Sequence, residues 1–316
     1  MNRTFAVGAL ALLLTAGFTS AQDKAAPKTE KRPQLPPAQL QRIPDGVKVV
    51  RELPYAPGGH ERHKLDIYTP ENAMPGAKLP LVVWVHGGGW QNGSKNACPA
   101  LWLVPRGYAV ASINYRLSSH ATYPAQLEDC KAAIRWLRAN AAKHGIDGER
   151  IGAWGSSAGG HLVALLGVTG DVKGFDKGEN LGVSSAVQAV CDFFGPTDFL
   201  QMSKFPSTIP HDSPTSPESK LIGGAIQEHK DKVARANPLT FVSRGDAPFL
   251  ILHGDKDPLV PVHQSELLEA TLKQSGVEVT LVKLEGAGHG GQPFNQPEQQ
   301  QRVAAFFDKH LKRAAK

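Results

Sequence analysis

A serine, an aspartate and a histidine that could together perform acyl transfer stand in the chain in the order Ser157, Asp257, His289. Ser157 lies between Gly155 and Gly159, in a G-x-S-x-G pattern flanked by apolar runs. An acyl-transfer serine needs a base that takes its proton and a carboxylate that orients this base. We therefore interpret Ser157 as a candidate nucleophile, His289 as its base and Asp257 as the acid.

The G-x-S-x-G pattern is not specific by itself in a chain with 32 glycines among 316 residues, so the elements around it decide its meaning. The apolar run at residues 151–154 predicts a buried strand, and the run at residues 161–166 predicts a helix after it. A serine at such a sharp strand-to-helix turn is known as a nucleophile elbow. Glycines are expected on both sides of Ser157 because the neighbouring backbone would leave no room for a Cβ.

The acid and the base each follow a predicted strand. Asp257 comes after the apolar run at residues 249–252, and His289 comes after the strand predicted at residues 277–284. In the architecture that uses this elbow, the serine, the acid and the histidine occur in this chain order, on loops that follow strands. Asp255 is the alternative acid, but it lies closer to the strand end, and we expect it to brace the turn.

Hydrogen-bond donors are also required for the negative charge that develops on the substrate oxygen. We predict that the N–H groups of Ala158, which follows the nucleophile, and of Gly87 and Gly88 form this oxyanion hole. The two glycines belong to a glycine run directly after a strand predicted at residues 81–85. For Trp90, at the end of the run, two interpretations stay open: a substrate-binding wall of the acyl pocket, or a core side chain.

Three further histidines are predicted to brace loops or pack in the core rather than to react: His86, His161 and His253. We predict no cofactor and no metal. Residues 286–291 match a dinucleotide-binding glycine pattern, but prolines follow where a helix should open. Two histidines and an aspartate between residues 60 and 66 fit the polarity of a hairpin loop better than a metal site, since no further ligand cluster lies nearby.

The periodicity of the remaining chain predicts an α/β fold. Residues 47–53 and 64–68 predict two antiparallel strands around a Pro-Gly-Gly turn. Short apolar strands then alternate with amphipathic helices, which indicates a mainly parallel central sheet with helices on both faces. The further strands are predicted at residues 108–115 and 187–194, and the helices at residues 124–144, 262–274 and 297–312. Residues 196–245 break the alternation and predict an irregular insertion or lid after the sixth strand.

The N-terminal segments are predicted to lie outside the catalytic domain. Residues 1–21 combine an early arginine, an apolar run and small residues, which is typical of a secretory signal peptide. We therefore expect a secreted or periplasmic protein without stable membrane insertion. Residues 22–47 are rich in Pro and Lys and predict a linker, and residues 48–316 predict a single catalytic domain.

The net charge of +6 does not indicate nucleic-acid binding, because the excess of basic residues is concentrated near the two ends. Residues 22–51 hold seven basic and three acidic residues, and the last eight residues hold four basic residues and no acid. The part between them is near neutral.

The three cysteines, Cys98, Cys130 and Cys191, allow at most one disulfide. We interpret them as small buried side chains, and the sequence leaves their pairing and the oligomeric state open.

Taken together, seven motifs in order resemble the α/β-hydrolase superfamily: His86–Trp90, Asn114–Leu117, Tyr123–Asp129, Gly155–His161, Phe193–Asp198, His253–Asp257 and Gly288–His289. Within it, the chain is most similar to the esterases grouped with bifunctional acetylxylan and feruloyl esterases, over roughly residues 48–312. This resemblance implies a serine carboxylic-ester hydrolase without a cofactor, and the predicted signal peptide makes it a secreted one. Its substrates would be short-chain or polysaccharide-linked esters of the acetyl or feruloyl type.

The elbow also resembles that of hormone-sensitive-lipase-like esterases, which carry an N-terminal helical cap where this chain has a Pro-rich segment. Kynurenine formamidases share the elbow and the glycine loop, but they are cytosolic enzymes of amide chemistry. Two alternatives to an esterase therefore stay open: an amidase or peptidase on the same fold, and a non-catalytic binding module with this fold.

Overall fold

The computed structural model describes residues 41–74 and 76–312. The predicted signal peptide and residues 22–40 of the predicted linker lie outside the described residues.

A sheet of eight strands forms the centre of the described chain. In chain order the strands are β1 (Val47–Pro54), β2 (Lys64–Pro70), β3 (Leu79–Val85), β4 (Ala109–Ile113), β5 (Ile146–Ser156), β6 (Ala189–Phe193), β7 (Phe249–Gly254) and β8 (Val279–Leu284). Their order across the sheet is β1-β2-β4-β3-β5-β6-β7-β8. The pairs β1–β2 and β2–β4 are antiparallel, and all other pairs are parallel. The predicted N-terminal hairpin and the mainly parallel sheet are confirmed.

The central strands are apolar throughout because both faces of the sheet are covered. In β3, Leu81, Val83 and Val85 belong to one hydrophobic cluster, and Val82 and Trp84 belong to another on the opposite face. Side chains of a strand alternate between the faces, so a strand that is buried on both sides needs a continuous apolar run.

The described residues also form seven α-helices: α1 (Ala125–Ala139), α2 (Ala158–Val168), α3 (Phe199–Met202), α4 (Pro217–Ile222), α5 (Lys230–Ala236), α6 (His263–Gln274) and α7 (Pro297–Leu311). Helices α1, α2 and α6 pack on one face of the sheet, through Leu127, Leu162 and Leu268, among others. Helix α7 packs on the other face through Phe307. The helix predicted over residues 124–144 is shorter than expected, since its last turn is a separate 3-10 segment that ends before Gly145.

The segment between β6 and β7 contains the short helices α3, α4 and α5, which agrees with an irregular insertion after the sixth strand. Hydrogen bonds connect it to the α/β core. Tyr123 N–H donates to Leu221 O at 2.7 Å, and Thr208 N–H donates to Pro258 O at 2.7 Å. Because Pro258 directly follows the predicted acid, Asp257, the insertion is attached to a loop of the candidate site.

All three cysteines lie in the described range, and each is a buried free thiol. Within residues 41–74 and 76–312, no helix has both the length and the apolar character needed to cross a bilayer.

Candidate active site

The backbone turns sharply at Ser157, between the end of β5 and the start of α2. Ser157 has φ 55° and ψ −123°, a conformation that side-chain-bearing residues rarely adopt and that is concentrated at functional sites. Its N–H donates to Phe193 O at 2.8 Å, and its carbonyl accepts from His161 N–H at 3.0 Å. These bonds hold the strained residue above the N-terminus of an 11-residue helix, where the helix dipole favours negative charge.

Gly155 and Gly159 are required by the close packing of backbone at this turn. An ideal Cβ on Gly155 would lie 2.3 Å from Gly159 O, and one on Gly159 would lie 2.1 Å from Val85 O. Real Cβ atoms do not approach carbonyl oxygens this closely. The predicted reason for the two glycines is therefore confirmed.

The acid and the base predicted from the sequence are in contact. His289 Nδ1 lies 2.6 Å from Asp257 Oδ2. A carboxylate accepts hydrogen bonds, so Nδ1 carries the proton and the lone pair of the neutral ring is on Nε2, as a general base requires. The other oxygen, Asp257 Oδ1, accepts from the N–H groups of Leu259 and Val260 at 2.8 and 2.9 Å.

The environment keeps Asp257 ionised. Burial by itself would raise the pKa of this carboxyl, but side-chain hydrogen bonds from His253 and His289 outweigh burial and hold the pKa below its usual value. The neighbouring Asp255 has a different role, because its Oδ1 accepts from Gly286 N–H at 2.7 Å and so braces the turn after β8.

A cavity of about 530 Å³ brings the predicted site residues together. It is bordered by all of them except the buried acid: Ser157, His289, Gly87, Gly88, Ala158 and Trp90. In the described part of the chain, no hydrogen bond joins Ser157 Oγ to His289. Such catalytic hydrogen bonds are often long in structures without substrate.

The predicted oxyanion loop packs directly on the elbow. An ideal Cβ on Gly87 would lie 2.8 Å from Ser156 O, so the loop requires a residue without a side chain there. Gly88 has φ 110°, which favours glycine. Ala158 is the first residue of α2, and its N–H therefore has no acceptor within the helix. These N–H groups can donate to a substrate oxygen.

His86 stabilises this loop from behind, in agreement with its predicted bracing role. Its Nδ1 donates to Gly87 O at 2.8 Å, and its ring stacks on Tyr115 with centroids 4.4 Å apart. Arg62 donates to its Nε2 at 3.2 Å. Burial lowers the pKa of His86 to about 3, so the ring is neutral at physiological pH.

His161 lies next to the elbow but is buried and does not border the cavity. Its Nε2 donates to Ala236 O in the insertion at 2.7 Å, and burial lowers its pKa to about 4. The predicted packing or anchoring role is confirmed.

Trp90 is only 1% exposed, and its ring lies 5.2 Å from that of His161 and 5.5 Å from that of Phe199. The side chain of Trp90 is thus mainly packed in the core, and its predicted role in substrate binding stays a prediction.

Two polar residues of the insertion, His211 and Glu218, also border the cavity, although the sequence did not indicate them. They lie seven positions apart in a segment that is rich in Pro and Ser and has no periodicity, so no motif marks them. Within residues 41–74 and 76–312, no group of three or more His, Cys, Asp or Glu side chains is placed to hold a metal ion.

This geometry can be compared with known proteins. The BD-FAE family model matches residues 65–272, which is more than half of the chain. The chain belongs to the BD-FAE family. The match includes the glycine loop, the elbow and the acid, and it ends before His289.

Among relatives of the chain, esterase LipQ of Mycobacterium tuberculosis is 33% identical over 242 residues. The aligned region covers 75% of this chain and 56% of LipQ, so the chain spans little more than half the length of this relative.

Two solved structures are carbohydrate esterases according to their descriptions. A truncated carbohydrate esterase from gut microbiota has a TM-score of 0.77 and 35% identity, and the match covers 84% of this chain and 97% of that one. A bifunctional GH43-CE protein of Bacteroides eggerthii has a TM-score of 0.76 and 36% identity, over 83% of this chain and 38% of that one. The fold of this BD-FAE member is therefore the α/β-hydrolase fold.

Proposed function

We propose that this protein is a serine carboxylic-ester hydrolase that acts on short-chain or polysaccharide-linked acyl esters. The observation that carries the proposal is the contact of 2.6 Å between Asp257 and His289, beside a cavity that Ser157 and the glycine loop also border. A buried acid, a histidine with a free Nε2, and a serine at an elbow are the three parts of an acyl-transfer triad.

The reaction follows from these roles. Ser157 Oγ attacks the ester carbonyl while His289 Nε2 takes the hydroxyl proton, and the N–H groups of Ala158, Gly87 and Gly88 donate to the oxyanion. The C–O bond to the alcohol then breaks, and the His289 imidazolium protonates the leaving alkoxide. Water, deprotonated by the same ring, then attacks the acyl carbon of the acyl-serine. The bond to Ser157 Oγ breaks, the imidazolium returns the proton to this oxygen, and the acid is released.

Three findings support an acetylated or feruloylated carbohydrate as the substrate class. The chain belongs to the BD-FAE family, two similar structures are described as carbohydrate esterases, and the cavity is bordered by polar side chains of the insertion. Together with the predicted signal peptide, they also support a secreted or periplasmic enzyme that meets its polysaccharide outside the cytoplasm.

The nucleophile is tested by Ser157→Ala with Ser156→Ala as its matched control. We expect Ser157→Ala to lower kcat on p-nitrophenyl acetate by at least about 10⁴-fold, since the triad acts as a unit. Ser156→Ala should retain a rate near that of the wild type, and a fluorophosphonate probe should label wild type and Ser156→Ala but not Ser157→Ala. Near wild-type turnover by Ser157→Ala would exclude this mechanism.

The substrate class is tested by comparing acetylated xylan, methyl ferulate and the corresponding amides as substrates of the wild-type enzyme. Release of acetate or ferulate without cleavage of the amides is expected. Preferred cleavage of the amides would identify an amidase, and absence of both turnover and probe labelling would identify a binding module.

A further inference from the structure

From the cavity walls we infer that Glu218 is a specificity-determining residue that accepts a hydrogen bond from a free hydroxyl group of the substrate. It would thereby favour acyl esters of sugars, in which unmodified hydroxyls lie beside the ester. This inference rests on the proposed ester hydrolysis, and it assigns the recognition of the alcohol part to the insertion between β6 and β7.

Glu218 is a buried carboxyl group with an unused acceptor. The residue is 3% exposed and borders the cavity, and within the described chain its Oε2 has no hydrogen-bond partner. An unpaired buried polar oxygen is costly unless a donor satisfies it. Among the described residues, Glu218 is also the only one with a carboxyl group that borders this cavity.

Helix α4 holds Glu218 beside the oxyanion loop. An ideal Cβ on Gly89 would lie 3.5 Å from Pro217 Cβ, so the start of α4 lies against that loop. Lys220 Nζ donates to Gln91 Oε1 at 3.0 Å and connects the same two segments. The position of Glu218 is thus tied to the groups that would bind the ester carbonyl.

His211 fixes the other oxygen of Glu218 and connects it to the acid loop. Its Nδ1 lies 3.1 Å from Glu218 Oε1 and makes no hydrogen bond within the described chain. Its Nε2 donates to Leu259 O at 3.1 Å, because a carbonyl can only accept. His211 is 1% exposed, so the pair is held rigidly. Within the described chain neither carboxylate oxygen of Glu218 accepts a hydrogen bond, which leaves acceptor capacity for the substrate.

The chemistry of the pair favours a neutral hydroxyl donor. A sugar hydroxyl supplies one directed O–H donor. A site built to bond a hydroxyl rejects analogues that lack it, because its own polar group is then left unpaired.

The test uses two xylosides and one simple ester with the full-length protein. The first is a monoacetylated methyl xyloside with free ring hydroxyls, and the second is the same ester with these hydroxyls capped as methyl ethers. The simple ester is p-nitrophenyl acetate, which has no hydroxyl donor. The variants are Glu218→Leu, which removes the acceptor, and Glu218→Gln, which keeps the shape and a weaker acceptor. Glu228→Gln, at an exposed position of the same insertion, is the matched control.

We expect the wild type to prefer the free xyloside over the capped one by roughly 10- to 100-fold in kcat/KM, the range of a hydrogen bond to a charged group. Glu218→Leu should abolish this preference and Glu218→Gln should reduce it. On the capped xyloside and on p-nitrophenyl acetate, which offer no hydroxyl donor, both variants should lose much less activity than on the free xyloside. Glu228→Gln should behave as the wild type on all three esters.

Equal losses on all three esters would overturn the role of Glu218 in recognition and would indicate a structural one. If Glu218→Leu does not fold, the same comparison on Glu218→Gln decides. A wild type that favours neither xyloside also overturns it, while turnover of p-nitrophenyl acetate that depends on Ser157 leaves the esterase proposal intact. Turnover that does not depend on Ser157 would instead overturn the proposed function.

Discussion

His253 Nε2 lies 3.2 Å from Asp257 Oδ2, the same carboxylate oxygen that His289 contacts at 2.6 Å. The acid is thus held by two imidazole rings, of which only His289 borders the cavity. His253 Nε2 also donates to Val260 O at 2.8 Å, and its Nδ1 accepts from Ser265 Oγ at 2.7 Å. His253 is therefore a positioning residue for the acid loop.

Replacement of this second imidazole, His253→Gln, should lower kcat on p-nitrophenyl acetate by about 10- to 100-fold, because a small displacement of Asp257 misaligns the base. KM should change little, since His253 does not border the cavity. Steady-state kinetics separate the two constants, and circular dichroism checks the fold. A higher KM with an unchanged kcat would contradict the positioning role.

Asp257→Asn should lower kcat by about 10³- to 10⁴-fold, because an amide no longer holds His289 in the required tautomer. Asp255→Asn is the matched control, two residues earlier in the same loop. Asp255 accepts from Gly286 N–H rather than contacting the base, so its amide variant should keep most of the activity. A large loss of activity in Asp255→Asn but not in Asp257→Asn would instead identify Asp255 as the acid.

Gly159→Ala should destabilise the protein by about 3 kcal/mol, because the added Cβ forces the backbone to shift where packing is tight. Gly174→Ala is the control, since nothing lies within 4 Å of an ideal Cβ there. Its free energy of unfolding should stay within about 0.5 kcal/mol of that of the wild type. Urea unfolding measures both values, and a stable Gly159→Ala protein would show that the elbow has more room than the structure indicates.

The buried carboxyl group of Asp192 makes the free energy of unfolding depend on pH. Burial raises its pKa from 3.8 to about 7, although Gly195 N–H donates to its Oδ1 at 2.9 Å and opposes the rise. Between these pH values the native state keeps a proton that the unfolded state has lost. Its contribution to stability is therefore present below pH 3.8 and lost as the pH rises towards 7.

Asp192→Asn carries a side chain that cannot ionise and so removes this dependence. The difference in unfolding free energy between wild type and variant should change in favour of the variant as the pH rises from 4 to 7, by up to about 1.4 kcal/mol per pH unit. Urea unfolding at several pH values gives the slope. Parallel curves for the two proteins would show that Asp192 does not retain its proton.

Local pattern sufficed to predict most of the fold and the candidate triad. The alternation of apolar runs predicted the eight strands and the helices α1, α2, α6 and α7 to within about five residues, since burial on both sheet faces imposes continuous apolar strands. The need for glycine at positions 155 and 159 was also predictable, because close backbone contact excludes a side chain from those positions.

Only the tertiary structure decided what surrounds Asp257 and the cavity. His253 and His289 meet at one oxygen although they are 36 positions apart in sequence, and no spacing rule predicts a second ring there. His211 and Glu218 meet in a segment without periodicity, where the path of the chain depends on packing against distant loops. Periodic patterns report which face of an element is buried, whereas contacts between loops depend on where the whole sheet places them.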